Sequence, residues 1–204
     1  MTDKLPDQLF KRQDESPDEA FYSVSRMVNH IDDATINEIT RFYWETLKPE
    51  EELLDLMSSW VSHLPEDVSY MKVTGLGMNL EELNANPRLD QAVVHNLNDT
   101  PILPFADAAF DAVMIVVSIQ YLIRPFEVFE EIRRVLKPGG KCIVSMSHRL
   151  FPTKAIYAFQ TLAPQDRVRL VQEYMRRAGL TGIEFIDRSP EKADPLWIIQ
   201  GFNA

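Results

Sequence analysis

The chain has 204 residues, 45% hydrophobic and 25% charged, with a formal net charge of -10 and a single cysteine, Cys142. That length holds one well-buried α/β domain rather than two. The acidic field repels phosphate backbones, so nucleic acid is not expected as a partner; the lone cysteine excludes an internal disulfide, and without a bilayer-length apolar run or a signal-like start the expectation is a cytoplasmic protein off the membrane.

Residues 1–20, "MTDKLPDQLFKRQDESPDEA", read as a flexible acidic N-terminal arm, and 21–204 as a single domain. After Asp32 and Asp33, suited to capping, Ile36, Ile39, Tyr43 and Leu47 recur at helical spacing until Pro49. Strands are expected at "ELLDLM", "YMKVTGLG", "QAVVHNL", "FDAVMIVVS" and "KCIVSMS", alternating with helices, and then at "GIEFIDRS" and "PLWIIQGF" as a closing pair. The nearly unbroken apolar run "FDAVMIVVS" predicts a central strand covered on both faces. Phe126, Phe129, Ile132 and Leu136 stripe a crossover helix that Pro138-Gly139-Gly140 stops. Arg167, Arg169, Arg176 and Arg177 cluster on a later helix, where a solvated face is the simpler account. The pattern predicts an α/β fold with a doubly wound, mostly parallel sheet and a C-terminal antiparallel hairpin.

In such sheets ligands bind beyond the carboxyl ends of the strands, where the winding reverses. The residues that follow the strands are Met57 to Trp60, Gly77 to Asn79, Asn96 to Asn98, Ser118 to Tyr121 and Ser147 to Phe151. No G-x-G-x-x-G loop follows the first strand, because the earliest glycine is Gly75. Binding of NAD, FAD or ATP through such a loop is therefore not expected, whereas a ligand without phosphates makes weaker demands.

"LPFADAAFDAVMIVVSIQYLIRPFEVFEEIRRVLKPGGKCIVSMS", residues 103–147, resembles the second half of class I S-adenosylmethionine-dependent methyltransferases of the type 11 group. A narrower subgroup of that family resembles the chain at Leu54 to Pro65, around Ser58-Ser59-Trp60, and at Gly75 to Asn79, Asn86 to Leu89 and Phe151 to Ala155. The resemblance spans residues 20–202 loosely and is strongest over 99–152. It implies a Rossmann-like seven-stranded sheet and S-adenosylmethionine as cofactor, with S-adenosylhomocysteine as product. Most members end the second strand with an acid that binds the ribose hydroxyls; Gly77 stands there, leaving Asn79, with Glu81 near it, as the neutral alternative.

The resemblance assigns cofactor binding to Asp55, Met57, Ser58, Ser59, Trp60, Gly77, Met78, Asn79, Asn96, Leu97 and Ser118. Asp55 alternatively caps the next helix through the serines, Trp60 is as well read as a buried aromatic on the crossover, and Asn96 as a turn residue. Displacement at a sulfonium needs positioning, an aromatic wall and, for a protonated acceptor, a base. His30, Tyr121 and His148 are the catalytic candidates, and Tyr22, Gln120, Arg149 and Lys154 the substrate-binding ones, with Phe21 and Tyr157 as further wall candidates. Ordinary packing or exposure is the competing account of each. No metal site is expected, since Cys142 and His148 on one strand lie roughly 20 Å apart. The leading expectation is methyl transfer to a small molecule; the alternatives are a non-catalytic methyltransferase-like binding or regulatory protein, and an enzyme using another adenosine-like ligand. A homodimer is the one assembly kept open.

Overall fold

Period-two alternation along the strands sorts their side chains into two cores, one on each face of the sheet. The computed structural model of the protein describes residues 5–204. Its strands are β1 (Glu52–Leu56), β2 (Lys72–Gly77), β3 (Gln91–Val94), β4 (Phe110–Val116), β5 (Leu136–Met146), β6 (Thr181–Asp187) and β7 (Trp197–Phe202). They form a seven-stranded sheet in the order β3-β2-β1-β4-β5-β7-β6, with β1 to β5 parallel and β7 antiparallel to both β5 and β6. The expected Rossmann-like, doubly wound sheet with its C-terminal antiparallel hairpin is borne out.

On one face Leu54, Leu56, Val113, Ile115 and Val144 pack beneath α4 (Pro125–Val135), α5 (Tyr157–Thr161) and α6 (Pro164–Arg177). On the other, Leu53, Ala112, Met114 and Ile143 meet Ile39, Phe42 and Tyr43 of α2 (Asp33–Thr46). Ala112 to Ile115 of β4 are wholly buried, as a strand covered on both faces must be. Each Leu, Ile or Val so placed contributes about 1.5–3 kcal/mol of burial. Asp32 caps α2, its carboxylate accepting the Thr35 N–H at 2.9 Å.

Three elements differ from the sequence expectation. The first is the β1–β2 crossover, residues 57–71, which contains no helix. Met57 and His63 hold left-handed backbone there (φ 61° and 55°), and Pro65 removes a donor, so no helical turn propagates. The second is the β3–β4 connection, likewise irregular, where Pro101, Pro104 and a run of Asn and Asp side chains favour turns. Third, β5 begins at Leu136 and draws in the Lys-Pro-Gly-Gly stretch. Lys137 Nζ bridges Glu52 and Asp111 at 2.8 Å each, and the Gly139 N–H donates to the Asn203 carbonyl at 2.7 Å.

The stretch expected as a free arm is packed from residue 5 onward; residues 1–4 lie outside the described residues. Leu5, Leu9 and Phe10 pack on the first core, and α1 (Asp18–Tyr22) follows. Lys154, fully buried, holds this segment by pairing with Asp14 at 3.0 Å and Asp18 at 3.3 Å and donating to the Ser16 carbonyl at 2.8 Å. Asp18 also pairs with Arg12 at 2.7 Å. Of the arginines of α6, Arg169 pairs with Asp166, Arg176 and Arg177 pair with Glu173, and Arg167 donates to the Leu162 carbonyl at 2.9 Å. No helix among the described residues is long and apolar enough to cross a membrane.

Candidate functional site

The winding reverses between β1 and β4, and a cavity of about 260 Å³ opens at the carboxyl ends of these strands and of β2 and β3. Met57 to Ser59 follow β1, Gly77 to Asn79 close β2 and lead into α3 (Leu80–Ala85), Asn96 to Asn98 follow β3, and Val117 and Ser118 follow β4. Met57 and Val117 both hold left-handed backbone (φ 61° and 46°) at the ends of adjacent strands. For a β-branched valine that conformation costs on the order of 1–3 kcal/mol and persists because the Val117 N–H is tied to the Ser145 carbonyl at 2.8 Å.

The substituted first loop and the missing β2 acid are one geometric feature. The Ser58 N–H donates to the Leu76 carbonyl at 2.8 Å, which lays the loop back over the end of β2. A Cβ at Gly77 would then stand 2.3 Å from the Ser58 carbonyl oxygen. Any side chain at Gly77, an acid included, is excluded by the loop itself.

Asn79 does not take up the acid's role with its side chain. Its amide oxygen caps α3 by accepting the Glu82 N–H at 3.1 Å, and its NH₂ donates to the Tyr22 carbonyl at 2.9 Å. Glu81 takes the Ser25 hydroxyl at 2.5 Å and does not line the cavity. The acid that does line this wall is Glu82, one carboxylate oxygen of which accepts the Arg26 main-chain N–H at 2.7 Å. In sequence Glu82 is an ordinary first-turn acid of a short helix, and nothing about its spacing distinguishes it from Glu81.

On the β3 side, Asn96 donates to Glu19 at 2.6 Å, and Asn98 donates to Asp18 at 2.8 Å while its oxygen accepts the Ile123 N–H at 2.9 Å. Leu97 and Met78 present apolar surface beside them. The Ser118 Oγ is buried on the cavity wall with no hydrogen-bond partner. Such an orphan hydroxyl carries a desolvation cost of about 1–3 kcal/mol unless a ligand or water meets it.

The remaining wall is aromatic and cationic. Tyr22, Tyr121, Phe151, His30, Arg26 and Arg149 all face the cavity. The Tyr121 and Phe151 rings stack at 5.8 Å and 27°, and the Tyr121 hydroxyl accepts the Phe151 N–H at 2.9 Å. Burial raises the Tyr121 phenol above its usual pKa of 10, so this candidate stays protonated and serves as a wall rather than a base. Burial likewise raises Tyr22. His30 stands edge-on to Phe151 at 5.1 Å, and partial burial, joined by Arg26 and opposed by Glu82, lowers its pKa below 6.5. It is the neutral imidazole of the site at pH 7.

Five expected site residues lie elsewhere. Asp55, 2% exposed, sits beneath the first loop, accepting the Ser58 and Ser62 hydroxyls at 2.6 Å each, and burial against those hydroxyls pushes its pKa up to about 6. Trp60 is turned to a separate recess of about 70 Å³ and donates to the Val28 carbonyl at 3.2 Å. Gln120 is buried, donating to the Val117 carbonyl at 2.8 Å. His148 lies outside the cavity, 3.4 Å from Asp194, and Lys154 is consumed by the N-terminal segment. Of the further wall candidates, Phe21 backs the site against Phe151 at 5.4 Å, while Tyr157 lies outside it on α5, 45% exposed.

Residues 58–144 match the family model described as a methyltransferase domain. A demethylmenaquinone methyltransferase from Renibacterium salmoninarum is 32% identical over 112 residues, covering 53% of this chain and 47% of that one. The chain thus spans about half the length of this curated relative. Among solved structures, a SAM-dependent methyltransferase from Aquifex aeolicus superposes with a TM-score of 0.61 at 14% identity, covering 84% of this chain and 92% of that one. Haemonchus contortus phosphoethanolamine N-methyltransferase 2 in complex with S-adenosyl-L-methionine gives 0.61 at 14% identity, over 83% and 52% of the two chains. At these identities the superpositions speak for the fold alone. The chain thus carries a match to a methyltransferase domain over residues 58–144, on a fold similar to that of solved SAM-dependent methyltransferases.

Proposed function

We propose that the protein binds S-adenosylmethionine in the β1–β4 cavity and transfers its methyl group in line to a small molecule. The observation that carries this reading is the Ser118 hydroxyl, buried on the cavity wall without a partner beside the apolar shelf of Met57, Met78 and Leu97. These residues fit an adenosine that carries no phosphates, and Glu82 supplies the carboxylate for its ribose hydroxyls in place of an acid at Gly77. When bound, the cofactor supplies an electrophilic methyl carbon on a cationic sulfur. The chain's own part is to orient and to exclude water. Tyr121 and Phe151 wall the acceptor, and His30, neutral at pH 7, takes a proton from an acceptor that must lose one.

Calorimetric titration with S-adenosylmethionine and S-adenosylhomocysteine tests this. Micromolar binding is expected, with Glu82→Gln weakening it by about ten-fold, the scale of one charge-assisted hydrogen bond. Folded wild-type protein, freed of carried-over ligand, that binds neither compound would sink the reading. The second reading, a binding protein without methyl transfer, is favoured by one observation: Asn79 and Asn96 spend their side chains on the N-terminal segment. It predicts no affinity for either compound.

A further inference from the structure

The acceptor end of the cavity holds one cation without a carboxylate partner among the described residues. It presents Arg26, Arg149 and the neutral His30 beside three aromatic rings, and of the acids in the lining Asp18 is paired with Arg12 and Lys154. Arg149 is neutralised by Asp194, which it meets at 2.9 Å. Arg26 is different. Its two side-chain hydrogen bonds go to the Val24 and Phe21 carbonyls, both at 3.0 Å, and its guanidinium has no ion-pair partner among the described residues. Glu82 is engaged with the Arg26 main chain, while the guanidinium is turned to the rings, its central carbon 4.4 Å from the centre of Phe21 and 5.6 Å from that of Phe151.

Two consequences follow from general chemistry. A guanidinium holds five N–H donors in one plane, and two carbonyls leave donors for an oxyanion that meets it side-on. A cationic acceptor, by contrast, is repelled by the Arg26 guanidinium at this end of the cavity, which already takes the place of a cation over the Phe21 ring behind it. The Tyr121–Phe151 wall is fixed by the hydrogen bond between them and offers flat apolar area to a planar ring.

Resting on the methyl-transfer reading of the same cavity, we propose that the acceptor is a planar aromatic molecule bearing an anionic oxygen group, its ring against Tyr121 and Phe151 and its oxyanion on Arg26. Three probes of one shape test it by calorimetry, with and without S-adenosylhomocysteine: 1-naphthoate, its neutral isostere 1-naphthamide, and 1-naphthylmethylammonium. Wild-type protein is expected to bind naphthoate at least about ten-fold more tightly than naphthamide, and the ammonium weakest. Arg26→Gln removes the carboxylate's advantage, and Phe151→Leu weakens naphthoate and naphthamide alike. Equal affinity for naphthoate and naphthamide, tighter binding of the ammonium, or no binding of naphthoate overturns the proposal, and so does a folded Arg26→Gln that keeps the advantage. The wild-type comparison stands even where a variant fails to fold. Retained S-adenosylhomocysteine affinity without carboxylate preference overturns the acceptor class alone; carboxylate preference without S-adenosylhomocysteine affinity overturns the methyl-transfer reading and leaves an anion site.

Discussion

Asp55→Asn is expected to stabilise the protein at neutral pH and to leave it unchanged in acid. The Ser58 and Ser62 hydroxyls donate to the same carboxylate oxygen, so an asparagine carbonyl in that place accepts both and its NH₂ replaces the other oxygen. The wild-type carboxyl is raised by burial from the ordinary 3.8 to about 6. A raised acid binds more protons folded than unfolded, so its contribution to stability is complete below pH 3.8 and is lost as pH climbs through 6. At 1.36 kcal/mol per pKa unit the loss is at most about 3 kcal/mol, and asparagine does not suffer it. Groups common to both proteins cancel in the difference. Urea denaturation should give coincident midpoints at about pH 3, and at about pH 7.5 a variant midpoint higher by roughly 1 M, for a slope of about 2–3 kcal/mol/M. A difference that is flat with pH, or a variant less stable at pH 7.5, would refute the reasoning by showing the ionised carboxylate to be well solvated.

Three further outcomes are expected. Gly77→Ala brings a Cβ to 2.3 Å from the Ser58 carbonyl, and the loop's displacement should cost about 1–3 kcal/mol in chemical denaturation and weaken S-adenosylhomocysteine binding in titration; a neutral effect on both contradicts the packing described. Lys154→Met removes the buried cation from Asp14 and from Asp18, which keeps Arg12, and leaves the Ser16 carbonyl without its donor; a loss of about 1–3 kcal/mol with faster proteolytic cleavage before Tyr22 is expected, whereas unchanged cleavage rates argue that the segment is held by its apolar contacts alone. His30 should titrate below 6.5 when its ring protons are followed by NMR, in the direction burial and Arg26 impose; a midpoint above 6.5 would mean that Glu82 dominates.

What the sequence made legible is what periodicity encodes. The apolar run of β4 declared a strand buried on both faces, and the 3.6-residue stripe from Ile39 to Tyr43, with Asp32 before it, declared a capped helix; both depend on neighbours in sequence. What stayed hidden depends on neighbours in space. Lys154 and Asp18 are remote in the chain, and their pairing, which turns an acidic arm into a packed segment, leaves no local pattern. Glu82 and Glu81 are alike in sequence, and only the direction of the α3 backbone decides which one faces the cavity. Asp55 was legible as a strand-end acid, but the two hydroxyls that draw it under the loop follow from Met57's left-handed turn, which the sequence does not announce.

That turn also explains why the loop after β1 and the end of β2 depart together from the pattern of the methyltransferases the chain resembles. In one frame of reasoning, the absent glycine loop and the absent ribose acid are separate losses, each weakening a site. The geometry ties them. The segment after β1 bends at Met57, anchors Ser58 through its hydroxyl to Asp55 and through its N–H to Leu76, and so carries the Ser58 carbonyl onto the α-carbon of residue 77. Once that carbonyl is there, glycine is the residue that fits, and an acid restored at 77 by itself would meet main chain rather than ribose. A carboxylate for this wall must then come from the next element, where Glu82 stands on the first turn of α3. A site eroding at random would not be expected to leave a self-consistent packing with a carboxylate still on the wall, and this coherence favours ligand binding in the cavity over a fold whose site has lapsed.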